Sequence, residues 1–268
     1  MKNSKFKILS FIVCITFVVS FSSCAQTNPT PSPTESLNSY QSAMNTGSAK
    51  KPEGKCLFIN ILLSDSESSF KDSESIEIRE MYAYGLPNAF KFLQEKAMDY
   101  NKSFDPIFNE PDTMLHYEVD FKIPTSPENS AWVREIFDNI YIDLNIDDIL
   151  EKYNADNIGF IYHINKTGRA FALPAYQSNT YEIAVVYTSK KPSDSDMIYT
   201  TSSSTYAHEI LHLFGAIDLY ELDDYRKSLL KEIAPYEIMF HSSYDFGDHT
   251  MSDITAYLIG WIDFKFPD

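Results

Sequence analysis

Apolar positions along the chain fall into three patterns, and each pattern predicts a kind of element. From Lys55 to Leu63 the residues are apolar almost without a break, with Asn60 as the interruption. A run of that length without alternation suits a central strand covered on both faces. Asn157 to Asn165, with Ile158-Gly159-Phe160-Ile161-Tyr162 inside it, reads the same way, and Tyr181 to Thr188 is a further strand rich in β-branched and aromatic residues. His116 to Ile123 alternates instead: Tyr117, Val119, Phe121 and Ile123 stand against His116, Glu118, Asp120 and Lys122. A period of two marks a half-buried strand. Helical spacing appears from Ile78 to Tyr100, where Ala89, Phe92, Leu93 and Ala97 recur and Gly85-Leu86-Pro87 kinks or restarts the helix. Trp132 to Tyr153 reads as one or two helices, and Ser252 to Trp261 as a Ser-capped helix with Ile254, Tyr257 and Leu258 on one face. The order of strands and helices predicts a mixed α/β (α+β) sheet domain.

The ends of the chain read differently. Met1 to Lys7 is basic and Ile8 to Phe21 is an apolar run too short to span a bilayer comfortably, which together read as an export leader over residues 1–23. Phe21-Ser22-Ser23-Cys24 resembles a bacterial lipobox, which implies acylation of Cys24 and a lipid anchor at the cell surface, with free secretion as the alternative. From there to Gly54 the chain is Ser, Thr, Pro, Asn and Gln with almost no large apolar residue, so residues 24–54 read as a flexible tether and 55–268 as the folded domain.

Composition narrows the function. A formal charge of −16 repels phosphate backbones and argues against nucleic-acid binding. Cys14 falls in the leader and Cys24 at its end, so Cys56 alone remains in the domain, which excludes a disulfide framework and a multi-thiolate metal site. Nothing points to an obligate partner chain, and a monomer is expected.

The most informative stretch is His208-Glu209-Ile210-Leu211-His212-Leu213-Phe214-Gly215-Ala216-Ile217-Asp218. Histidines four apart lie one turn above each other on a helix, so both imidazoles reach one tetrahedral zinc ion. Glu209 is rotated aside, where it can act as a general base. Gly215 can take positive φ, end the helix and let the chain return Asp218 to the same metal. An amphipathic core helix would explain Ile210, Leu211, Leu213 and Phe214 but not two histidines and two acids so placed. His241, His249, Glu221 and Asp253 remain alternative ligands, while His116 and His163 serve structure or surface.

This segment resembles the metzincin clan of zinc peptidases, and Asp218 in place of a third histidine is similar to its snapalysin-type branch. The resemblance implies a twisted mixed sheet, an active-site helix, a smaller helical C-terminal part, and a methionine turn beneath the metal, for which Met239 in Tyr236-Glu237-Ile238-Met239-Phe240-His241 is the candidate. Where several relatives carry a tyrosine two residues after that methionine, His241 stands here, which leaves Tyr236 and Tyr244 as candidates for that role. The resemblance further implies one catalytic zinc and a protein or peptide substrate lying antiparallel to an edge strand, for which Tyr181 to Thr188 is expected, and the negative charge of Asp218 as a ligand leads to a neutral to mildly alkaline optimum. A surface binding protein that keeps the metal site without cutting is the rival reading.

Overall fold

The central strand β1 (Gly54–Ser64) carries the long apolar run and pairs on both edges. The computed structural model describes residues 47–70, 78, 81–175, 181–188, 201–240 and 246–263, all within a unit spanning Ser32–Asp268. The leader, Cys24, the tether as far as residue 46, His241 and Tyr244 lie outside the described residues.

On one edge of β1 lies β4 (Asn157–Ile164), parallel, with Phe58 opposite Gly159 and Ile61 opposite Tyr162. The other edge is shared by two short parallel strands, β2 (Phe104–Ile107) against Gly54 to Leu57 and β3 (Met114–Glu118) against Asn60 to Ser64. Beyond β4 comes β6 (Ile183–Tyr187), again parallel, and beyond that β5 (Phe171–Leu173), antiparallel to β6. The sheet is therefore mixed, in the order β2-β1-β4-β6-β5, with β5 at its edge. Six helices accompany it among the described residues: α1 (Leu86–Asp99), α2 (Ala131–Asp143), α3 (Ile146–Tyr153), α4 (Ser203–Leu213), α5 (Asp224–Ile233) and α6 (Asp253–Leu258).

Alternation within β1 sorts its side chains between two cores. Cys56, Phe58 and Leu62 join one with residues of α1, α4 and α6; Leu57, Ile59, Ile61 and Leu63 join the other with Val133, Ile136, Phe137 and Ile140 of α2. Covering both faces explains why the run could be apolar throughout. Phe58 is the hinge pin of the first core, its ring 4.6 Å from Phe90 and 6.2 Å from Phe214. Cys56 behaves as the expected small hydrophobe, and burial pushes its thiol up to about 12. Asn60, the polar interruption, is satisfied: its amide donates to the Phe108 carbonyl at 3.0 Å and its oxygen meets His163 Nε2 at 2.9 Å. His163 Nδ1 contacts the Tyr206 hydroxyl at 3.1 Å, and burial pushes the imidazole down to about 3, so this chain of bonds joins β1, β4 and α4 through a neutral ring.

Several boundaries differ from the sequence reading. The half-buried strand stops at Glu118, although Val119 and Ile123 beyond it stay buried. A single π turn, Met81–Gly85, precedes α1, with Pro87 in its first turn, where a missing N–H costs nothing. Strands β2 and β5 and helix α5 are additional, the strands being too short for periodicity to register. Ser252 occupies the N-cap position of α6 without a side-chain cap bond. The tether also ends earlier than Gly54. Ala49 is fully buried, the Ser48 and Ala49 amides donate to Glu182 at 2.9 Å each, Lys50 N–H donates to Asn157 Oδ1 at 2.9 Å, and Trp261 Nε1 donates to the Pro52 carbonyl at 3.0 Å. Partners distant in sequence, not local composition, hold Gly47 to Glu53 in place.

Candidate metal centre

Helix α4 begins where Ser202 Oγ accepts the Thr205 amide at 3.1 Å, and it turns Tyr206, Ala207, Ile210, Leu211 and Leu213 into the core. His208 and His212 thereby share one flank. Gly215, at φ +95°, closes the helix: its amide bonds the His212 carbonyl at 2.9 Å and the Ala216 amide bonds the Leu211 carbonyl at 3.1 Å. The reversal brings Asp218 back, with its Oδ1 3.0 Å from His208 Nε2 and 3.3 Å from His212 Nε2, and the two Nε2 atoms are 3.1 Å apart.

The protons of these rings are already committed. His208 Nδ1–H donates to the Ile238 carbonyl at 2.9 Å, and His212 Nδ1–H to the Ala216 carbonyl at 2.7 Å. In the neutral imidazoles both Nε2 atoms then present lone pairs to each other and to a carboxylate oxygen. One added proton can serve one such contact; a cation serves all three. A tetrahedral ion with bonds of about 2.0 to 2.1 Å separates its ligand atoms by about 3.3 to 3.4 Å, close to the spacing found. The donor set of two imidazoles and one carboxylate therefore fits a zinc-sized ion, and these three residues form a group able to hold a metal. Burial works against ionisation of Asp218, but a proton shared with His208 or His212 holds its carboxyl well below the usual carboxylate range.

Glu209 stands beside them, nearly buried, and its Oε2 has no hydrogen-bond partner among the described residues. Burial pushes its carboxyl up to about 7; Asp218 adds to the rise, and the charge of Arg169 opposes it. A buried carboxylate oxygen without a donor, on a residue that lines a cleft, is a group whose environment favours holding a proton.

The turn that carries Met239, which is fully buried, is tied to the cluster by hydrogen bonds. Its neighbour Ile238 holds His208, and the Met239 carbonyl accepts the Leu219 amide at 3.0 Å, so one turn is tied to the first ligand candidate and to the residue after the third. Glu237 fixes the turn in place, accepting from Met239 N–H at 3.2 Å, Thr255 Oγ1 at 2.9 Å and the Ser252 amide. Burial raises its carboxyl, while these donors counter the rise.

The cluster opens onto a cleft of about 600 Å³ lined by His208, Glu209, His212 and Asp218, by Arg169, Phe171 and Ala172 around β5, and by Tyr220 and Arg226. The edge strand beside the site is β5, not Tyr181 to Thr188 as expected: β6 is enclosed between β4 and β5, both of its edges already paired. Of the alternative ligands, Glu221, Asp253 and His249 do not join the cluster, and His241 lies outside the described residues. Glu221 lines the cleft apart from the three-residue group, Asp253 accepts the Tyr100 hydroxyl at 3.0 Å, and His249 bonds the Phe246 carbonyl. Tyr236 does not line the cleft, whereas Tyr220, unremarked in the sequence, does, with its hydroxyl near enough to Asp218 to feel the carboxylate's charge. Its position two residues after Asp218 was the available signal.

No known family model matches the sequence, and no curated protein does. A solved structure described as a chaperone-substrate complex aligns at 14% identity over 62% of this chain and 24% of that chain, with a TM-score of 0.31. The chain spans about a quarter of that structure's length, and at this score the likeness carries no argument about fold or function.

Proposed function

We propose that the chain is a zinc-dependent endopeptidase of metzincin type, acting on extracellular or surface proteins and anchored through an acylated Cys24. One observation supports it above the rest: three lone-pair atoms of His208, His212 and Asp218 converge within 3.3 Å beside a buried, partnerless Glu209 oxygen on the wall of an open cleft. Zinc held there would supply Lewis acidity towards a carbonyl and lower the pKa of a water.

The chain's own residues account for the remaining work. Glu209 is placed to take a proton from water and pass it to the departing amine, and a carboxyl raised by burial is well matched to that transfer near neutral pH. Asp218 brings a negative charge that a third histidine would not, which weakens the Lewis acid and favours a neutral to mildly alkaline optimum. Tyr220 stays protonated, since burial and Asp218 push its hydroxyl up to about 12, so it can donate to an oxygen gaining charge. Strand β5 has one edge on β6 and the other without a described strand, and an extended peptide can add to it antiparallel by main-chain bonds.

The test is zinc per chain by elemental mass spectrometry. One zinc is expected in the parent and in Glu209→Ala, with a marked loss in Asp218→Ala, and cleavage of a protein substrate in the parent alone. A well-folded parent without zinc rejects the reading in favour of a surface binding protein. One zinc with no turnover of any protein leaves a binding protein that retains its metal.

A further inference from the structure

Arg169 is the cation of the cleft that the peptidase reading leaves unassigned. The other arginine of the lining, Arg226, is paired with Asp223 at 3.1 Å. Arg169 forms no ion pair with any described carboxylate, and its Nη2 reaches only the Tyr220 hydroxyl, at 3.5 Å, among the described residues. Its backbone is nevertheless held with care. Gly168 lies so close to the Tyr187 ring that a Cβ there would stand 2.4 Å from Cδ1. The Tyr187 hydroxyl is anchored on the Pro124 carbonyl at 2.7 Å, and the Arg169 amide donates to the Thr125 carbonyl at 3.0 Å. A guanidinium on a fixed backbone, at the entrance to an edge strand and beside the cluster, is pre-organised for a planar anion.

Direction follows from the antiparallel pairing of the peptidase reading together with the order of residues along β5. Strand β5 runs from Phe171 to Leu173, and Arg169 precedes it. A peptide added antiparallel therefore runs with its C-terminal residues towards Arg169. We propose that Arg169 is a specificity-determining residue that selects peptides carrying a carboxylate just C-terminal to the bond that is cut. This rests on the peptidase reading above. The preference cannot be borrowed from the molecule's overall field, because a net charge of −16 draws in cationic peptides and repels acidic ones. An acidic preference is thus a local signature.

The experiment digests a complex peptide mixture with the zinc-loaded full chain and reads the cut sites by mass spectrometry, for the parent, Arg169→Gln and Arg169→Glu. In parallel, binding of a glutamate-containing peptide and its glutamine twin to zinc-loaded Glu209→Ala is measured by fluorescence anisotropy, with and without Arg169→Gln. Enrichment of Asp and Glu after the cut is expected in the parent, lost in Arg169→Gln and reversed in Arg169→Glu, with roughly a fivefold tighter grip on the glutamate peptide, the scale of an exposed ion pair. A merely structural arginine would lower turnover of all sites alike and leave the ratio unchanged, which overturns the assignment. Cleavage without acidic preference also overturns it while leaving the peptidase reading standing. A glutamate preference in binding without any cleavage keeps the Arg169 site and rejects the peptidase; a zinc-loaded chain that neither binds nor cuts peptide rejects both.

Discussion

Glu209 stands where a core and the Asp218 carboxylate both disfavour its charge, and His208 and Arg169 only partly oppose them. Its carboxyl, near 4.5 in an unfolded chain, rises to about 7 in the metal-free fold. Between those values the folded state keeps a proton that the unfolded state releases, so stability falls as pH rises across that window. Metal-free Glu209→Gln should therefore match the parent near pH 4 and exceed it near pH 8, by on the order of 3 kcal/mol in urea denaturation. Parallel curves for the two proteins would contradict the burial argument. At this scale the sequence was already explicit about His208, Glu209, His212 and Asp218, because ligand chemistry restricts which residue types can stand at fixed spacing. It was silent about Tyr220 and Arg169, whose types are common and whose relevance lies in what they face.

Elements differ in how much of them periodicity can reveal. Strands β1 and β4 and the helix α4 that carries His208 and His212 are long enough to display a pattern, whereas β5 is three residues of ordinary composition and becomes important only because β6 lies between it and β4. Residues along a strand turn their N–H groups alternately to its two edges, so of Phe171 and Ala172 one serves the pairing with β6 and the other faces the open side. Substituting each by proline should separate the two roles: one variant should lose stability in thermal unfolding, the other peptide turnover with zinc content intact. Equal loss of both in both variants would remove β5 from substrate binding. The turn that carries Met239 is similarly a product of packing. Glu237→Ala would leave the Met239, Ser252 and Thr255 donors without their shared acceptor, and a loss of about 2 to 4 kcal/mol is expected in denaturant unfolding. Stability unchanged by that substitution would mean the turn is held by its apolar contacts alone.

For the molecule as a whole, the order of elements in the sequence predicted a mixed α/β sheet, and the sheet is mixed, with helices on both faces. The boundary of the folded part was harder to see. Gly47 to Glu53 is polar and small, and it is ordered by Glu182, Asn157 and Trp261, more than 100 residues away. A chain beginning at Lys50 should accordingly be less stable than one beginning at Gly47 by about 1 to 3 kcal/mol in chemical denaturation, since Glu182 is left buried without its Ser48 and Ala49 donors. Equal stability would return those residues to the tether. The sequence by itself determined which residues form the cluster and the identity of the buried strands, because helical spacing, side-chain type and long apolar runs are local properties that do not depend on distant partners. Only the tertiary structure decided which strand forms the open edge, which tyrosine and arginine enter the cleft, and where the folded chain begins, because strand order, burial and hydrogen-bond pairing arise between residues that the sequence keeps far apart.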